Sequence, residues 1–346
     1  MKMNRLERKY LIDENGSDDF LFYAVDCYEK ILYHAIKDYG VDHKFAFCDD
    51  INLCFTHDVN KGKVHFDLNE SHVNDSLFLV NRYLPDHDSI EKILKEKVDS
   101  GKITAVRTMF DMLAPYVWYK NEDRAGISNT HFCLVVGYDD ESYYFVDDRW
   151  MVNSDRWKPY SKNPTIGIIE RHHFLEALNV FCEIMVVEIN TELLNEVNKF
   201  DEVAKKIVES YYVKYAPKPE YEYPWYVGRE ALEKIAELTY TKEKFQPIKR
   251  HLEKNLFFVH LLIKRREILK QCLQVVSDQY DSHKVTKLIN AIDDSIKEWR
   301  VLQSISSKQS LKSYDNFELI IREHFEKLVQ TEDSLIGCID ELIITE

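Results

Sequence analysis

From Ile248 to Ile336 the chain carries neither a glycine nor a proline. A run of that length without either breaker leaves long helices as the natural fold for the C-terminal part. The spacing predicts helices over 191–215, 228–239, 241–277, 282–305 and 314–344. Between the first two, residues 217–224 read PKPEYEYP, an extended, aromatic-rich linker.

The residues before about 190 have a different texture. Short apolar alternations predict strands over 44–47, 51–55, 64–68, 77–80, 103–110, 132–138, 143–146 and 184–189. Two helices interrupt them. One spans 26–39, with Ile31, Leu32, Ala35 and Ile36 at helical spacing and Gly40 as its stop. The other spans 89–100, with Ser89 as N-cap, Ile93 and Leu94 on the inner face and Gly101 behind it. The fold class is therefore α+β, organised as an α+β domain over 1–190 and an all-α helical domain over 191–346.

Composition narrows the partners. With 46 basic and 60 acidic residues the net charge is 46 − 60 = −14, a field that opposes binding to a phosphate backbone, so nucleic acid is not expected. No apolar run reaches the roughly 18 residues of a membrane span. The opening MKMNRLERKY is charged where a secretory signal would be apolar, and the seven cysteines are an odd, scattered set. A cytoplasmic protein with free thiols is the expectation.

One of those thiols stands out by position. Cys27 follows Asp26 and opens a helix, so Asp26 can cap while the free N–H groups of the first turn favour a thiolate. A second element begins at His131, which starts HFCLVVGYDD and returns as YYFVDD, a β-hairpin with a histidine at one end and carboxylates at the other. An odd number of loop residues puts Asp147 on the face of His131, and an even number puts Asp148 there. Asp147 directly ends the apolar run and is the expected member, with Asp148 as the alternative.

A helix-opening Cys, a strand-opening His in an H-F-x-x-V-V-G-Y-D pattern and an Asp ending the return strand resemble, in that order, papain-like and bacteriocin-processing (C39-like) cysteine peptidases. The segment GKITAVRTMFDMLAPY is similar to the one before the His in those proteins. The whole chain resembles the butirosin-biosynthesis acyltransferase family, in which such a domain precedes a helical one, and YVGREALEKIAEL at 226–238 is similar to that second domain's signature. The resemblance implies a papain-like first domain. It implies Cys27 as nucleophile, His131 as general base and Asp147 as the group orienting the imidazole. It further implies an acyl or peptidyl carrier protein as thioester donor, an amine or diamine as acceptor, amide formation as the reaction, and no cofactor. Peptidases of this kind place a Gln just before the nucleophile to hold the oxyanion, yet the first Gln here is Gln246. An activated thioester tolerates that missing donor better than a peptide does, which favours acyl transfer over proteolysis.

Other residues carry weaker patterns. Lys249, Arg250, Lys264, Arg265, Arg266 and Lys270 could form a basic patch for an acidic carrier, or an ordinary solvated helix face. Tyr221, Tyr223, Trp225 and Tyr226 could line an acyl channel or fill a core. Cys48, Cys54 and His57 lack a fourth ligand at zinc spacing, and His172 and His173 would point to opposite sides of an extended chain, so no metal site is expected. No Gly-rich phosphate loop is present, which leaves ATP-dependent ligation without support.

Overall fold

The computed structural model describes residues 2–3, 27–36, 43–48, 51–58, 62–68, 77–109, 130–146, 159–160, 163–194, 199–213, 215–216, 225–254, 257–311 and 316–344. The strands are β1 (Lys2–Met3), β2 (Leu53–Asp58), β3 (Lys63–Leu68), β4 (Phe78–Tyr83), β5 (Ile103–Met109), β6 (Thr130–Tyr138), β7 (Ser142–Val146), β8 (Pro159–Tyr160), β9 (Asn163–Glu170), β10 (Glu183–Ile189), β11 (Tyr215–Ala216) and β12 (Trp225–Val227). The α-helices are α1 (Cys27–Ile36), α2 (Ile90–Asp99), α3 (Arg171–Leu178), α4 (Phe200–Tyr212), α5 (Gly228–Leu238), α6 (Lys242–Lys254), α7 (Phe257–Val276), α8 (Ser282–Leu311) and α9 (Phe317–Ile343). The fold is mixed α+β, with two antiparallel sheets and a helical C-terminal part. Among the described residues no helix is long and apolar enough to cross a membrane.

The chain divides into two compact units. The first comprises Met1–His43 and Asp75–Asn195, the second Lys44–Asn74 and Glu196–Glu346. Residues 44–74, which sequence order alone assigns to the first part, belong to the second because the β2–β3 hairpin finds its sheet partner in β12, at Tyr226↔Phe55 and Val227↔Cys54.

In the first unit the strands run β4-β10-β5-β6-β7-β9-β8, with β1 paired to β6. Alternation gives each strand two faces. Val106, Cys133, Val135, Tyr143, Phe145 and Ile184 bury one of them against Ile90, Leu94 and Val98 of α2 and Phe174, Ala177 and Leu178 of α3. The spacing of the α2 residues, one per turn, is what turns that helix toward the sheet. Helix α1 contacts β5, β6 and β10, on the side that carries Phe132 and Leu134, and buries Ile31, Leu32, Ala35 and Ile36.

Some local expectations change. Ser89 precedes α2 but makes no side-chain cap. Asp86 does that work, accepting from Ser89 N at 2.9 Å and Ser89 Oγ at 2.6 Å. The alternating run at 44–47 is not a strand: its first three residues lie in a 3-10 turn, His43–Ala46, and Phe47 follows it. The expected helix at 241–277 is two, α6 and α7. The linker 217–224 lies outside the described residues.

In the second unit the helices enclose a polar core. Arg266 and Glu332, each almost fully buried, pair at 2.7 Å. Ser295 Oγ donates to Glu332 at 2.6 Å and Trp299 Nε1 at 2.8 Å, so the buried carboxylate is fully engaged. Gly228 opens α5 at φ +51, and a Cβ there would meet Tyr211 O at 2.5 Å, so only glycine fits.

Candidate active site

Cys27 is the first residue of α1, and His131 is the second residue of β6. Their chain neighbours touch, since the rings of Tyr28 and Phe132 meet edge-on with centroids 5.7 Å apart. The backbone thus brings the N-terminal turn of α1 to the start of β6, where His131 holds the register position opposite Thr108. The first-turn amides of a helix have no partner within it, and with the helix dipole they favour an anion at that end. A thiol on such a residue ionises more readily. Asp147 and Asp148 lie outside the described residues, and β7 ends at Val146.

Beside this junction stands a row of charges. The register Glu183↔Arg107↔Phe132 runs across β10, β5 and β6. Glu183 accepts from Arg82 Nη1 at 3.1 Å on one oxygen and from Arg107 Nη1 at 3.3 Å on the other. The Arg82 guanidinium lies 6.0 Å from the Tyr28 ring centre. That of Arg107 lies 5.9 Å from Phe132 and 4.7 Å from Phe181. Sequence reasoning missed this row because its members are distant in the chain and only strand register joins them.

Elsewhere in the same unit a thiol has an imidazole beside it. Cys182 Sγ lies 3.4 Å from His87 Nδ1 and donates to Asn179 O at 3.5 Å. Cys182 is, among the described residues, the non-glycine with positive φ, at 49°. Burial and the neighbouring Asp86 push its pKa up, so the thiol keeps its proton, which disfavours a nucleophile. No sequence spacing announces the pair.

The basic cluster does not form a surface. Arg265 and Arg266 are each only 1% exposed, with Arg265 donating to Phe47 O at 2.8 Å and Arg266 bound to Glu332. Lys264 pairs with Glu267 at 2.9 Å and Lys270 with Asp293 at 2.6 Å. The six residues therefore do not form one patch: Arg265 and Arg266 serve the core, Lys264, Lys270 and Lys249, the last 3.9 Å from Glu253, stand beside carboxylates, and Arg250 is exposed. Trp225 is buried against Cys54 and Val227, which makes it core. Tyr226 stacks on His57 at 6.0 Å, while Tyr221 and Tyr223 lie outside the described residues.

Cys48 donates to Phe45 O, and Cys54 and His57, three apart on β2, fall on opposite faces, so they do not converge. His172 and His173 differ from expectation. They sit in the first turn of α3 rather than in a strand, their ring centroids are 3.9 Å apart, and with Glu170 they place ligating atoms within 4.8 Å of one another. All three are exposed, and a helix N-terminus repels a cation. No family model and no curated protein matches the chain.

Proposed function

We propose that this chain is a cysteine-dependent acyltransferase of papain-like (C39-like) build, resembling the butirosin-biosynthesis acyltransferase family. In this reading it forms an amide from a carrier-protein thioester and an amine. The observation that carries the reading is the Tyr28–Phe132 contact, because it joins the helix start bearing Cys27 to the strand start bearing His131.

The steps follow from thiol chemistry. His131 takes the proton of the Cys27 thiol, the thiolate attacks the thioester carbonyl, and the donor's C–S bond breaks as the proton passes from His131 to the departing carrier sulfur. The acyl group is then held on Cys27 at nearly unchanged energy. The amine attacks that carbonyl, the new C–N bond forms, and the Cys27 C–S bond breaks. The amine proton passes to His131 and then to the departing thiolate. Amide formation makes the second step effectively irreversible.

Along β6, alternation gives Phe132 and Leu134 to the side that α1 covers. For the carboxylate, Tyr138 pairs with Tyr143, and residues 139–142 between them are an even loop that alone would favour Asp148. A bulge between Val135 and Gly137 shifts the pairing to Val135↔Phe145. Asp147 and Asp148 themselves lie outside the described residues, so Asp147 remains the expected member and Asp148 the alternative.

Incubating the protein with a small acyl thioester and diamines, followed by intact mass spectrometry, tests the reading. The expected result is an acyl adduct on Cys27 and an amide product. Cys27→Ala should lose the adduct, Cys27→Ser should nearly lose it, and His131→Ala should slow acylation by roughly 10² to 10⁴. Free acid alone, whatever the amine, would instead assign a hydrolase. No adduct in the wild type, or turnover retained in the Cys27 or His131 variants, rejects the proposal.

A further inference from the structure

The Arg82–Glu183–Arg107 row holds more positive charge than strand tethering needs. One arginine would neutralise Glu183, whose side chain is only 6% exposed, yet both of its oxygens are taken by two guanidiniums. One net positive charge remains, and it faces outward, for Arg82 is 53% and Arg107 34% exposed. The Nε of Arg107 is itself buried and has no hydrogen-bond partner among the described residues, so it is the outer nitrogens of the two guanidiniums that a ligand would meet. In a chain of net charge −14, this is a local positive spot beside the proposed nucleophile. A guanidinium fork matches a carboxylate in shape and charge.

We propose that Arg82 and Arg107, held in place by Glu183, form a subsite for a carboxylate on the reacting part of the substrate, carried by either the acyl group or the amine. The proposal rests on the reading of Cys27 as nucleophile. Position selects the ligand: the guanidiniums lie against Tyr28 and Phe132, the chain neighbours of Cys27 and His131. The phosphate of a carrier's pantetheine arm sits an arm's length from the thioester sulfur, too far to be the group held here.

The test uses the full chain and two matched pairs of reactants. The donors are the N-acetylcysteamine thioester of glutaric acid with its second carboxylate free, and the same compound as a methyl ester. The acceptors are 4-aminobutyrate and its methyl ester. In one of the pairs the free acid should be preferred about tenfold or more, the effect of one charge-assisted hydrogen bond. The preferred pair identifies which reactant carries the group. In Arg82→Gln and Arg107→Gln the ratio of acid to ester rates should fall toward one, whereas Glu183→Gln, which keeps an oxygen to position the guanidiniums but removes the competing negative charge, should raise it. A row that only ties strands together would slow acid and ester alike in all three variants and leave the ratio unchanged, which overturns the proposal. Equal rates for acid and ester in the wild type would overturn it too. If no donor acylates Cys27, the nucleophile reading has failed, and thermal unfolding with added glutarate decides the subsite alone. The midpoint should rise for the wild type and Glu183→Gln but not for Arg107→Gln, and a rise in all three or in none rejects the subsite.

Discussion

Tyr28 and Phe132 meet edge-on, 5.7 Å between ring centres, and Phe132 also lies beneath the Arg107 guanidinium. One half-buried ring therefore fixes both the start of α1 and the charged row. Such an aromatic pair contributes about 0.5–1.5 kcal/mol beyond its buried area. A double-mutant cycle with Tyr28→Ala and Phe132→Ala should show a coupling of that size in denaturation followed by amide exchange of β6. Both single variants should also slow alkylation of Cys27. Strictly additive losses would mean that the two rings do not hold the helix start to the strand.

Cys27 and Cys182 should differ in reactivity. Cys27 opens a helix, where its thiolate is favoured, whereas burial and Asp86 push the Cys182 thiol up. Limited iodoacetamide near neutral pH, read by peptide mass spectrometry, should label Cys27 first. Labelling of Cys182 should grow only as the pH rises past the ordinary thiol range. Cys182→Ala should leave acyl adduct formation intact. The reverse order of labelling would point to the Cys182–His87 pair as the reactive one.

Acid should loosen the attachment of α3 to α2. Glu91 accepts two hydrogen bonds from Arg171, Nε and Nη2, at 2.6 Å each, and Lys95 stands 2.8 Å away. Chiefly through Arg171, its carboxyl is held down from 4.5 to about 2. A carboxylate depressed in the folded state stabilises it above its unfolded pKa, and that stability drains away as pH falls through the folded value. The melting-temperature gap between wild type and Arg171→Gln should therefore be full above pH 4.5 and close between 4.5 and about 2. NMR titration of Glu91 should show its pKa rising in the variant. A gap that does not change with pH would assign the arginine a packing role only.

How far the sequence discloses this architecture depends on how local each signal is. Helix α2 was legible because Ser89 and Gly101 bracket a helical stretch, although its buried face is Ile90, Leu94 and Val98 rather than Ile93 and Leu94, and the long C-terminal helices because nothing punctuates them. Strand β9 and helix α3 were not. Pro164 and Gly167 read as breakers, and the paired His172-His173 hides a short helix with only Phe174, Ala177 and Leu178 turned inward. The four residues at 44–47 alternate, but four residues fit a single turn as readily as a strand. At the site, the helix-opening Cys27 and strand-opening His131 were legible from sequence, while Asp147 falls outside the described residues. The charged row and the Cys182–His87 pair exist only through tertiary register, so no spacing could show them.

Arg265 and Arg266 illustrate the same limit at the level of charge, and the second of them supports a sharp stability prediction. A doublet of arginines in a helix reads as solvated, because the carboxylate that receives Arg266 comes from Glu332 on another helix. Removing only one member of a nearly dry pair strands the other charge without water or counter-ion. Glu332→Ala should therefore destabilise the helical unit by about 3–5 kcal/mol, more than the loss of its hydrogen bonds to Ser295 and Trp299 alone would suggest. Replacing both, as Arg266→Met with Glu332→Leu, removes the stranded charge and should recover most of that loss, with Ser295 and Trp299 left to find other acceptors. Denaturation of the full chain, followed by the fluorescence of Trp299, reads both. If the double variant is as unstable as Glu332→Ala, the deficit lies in the hydrogen bonds of Ser295 and Trp299 rather than in the unpaired charge.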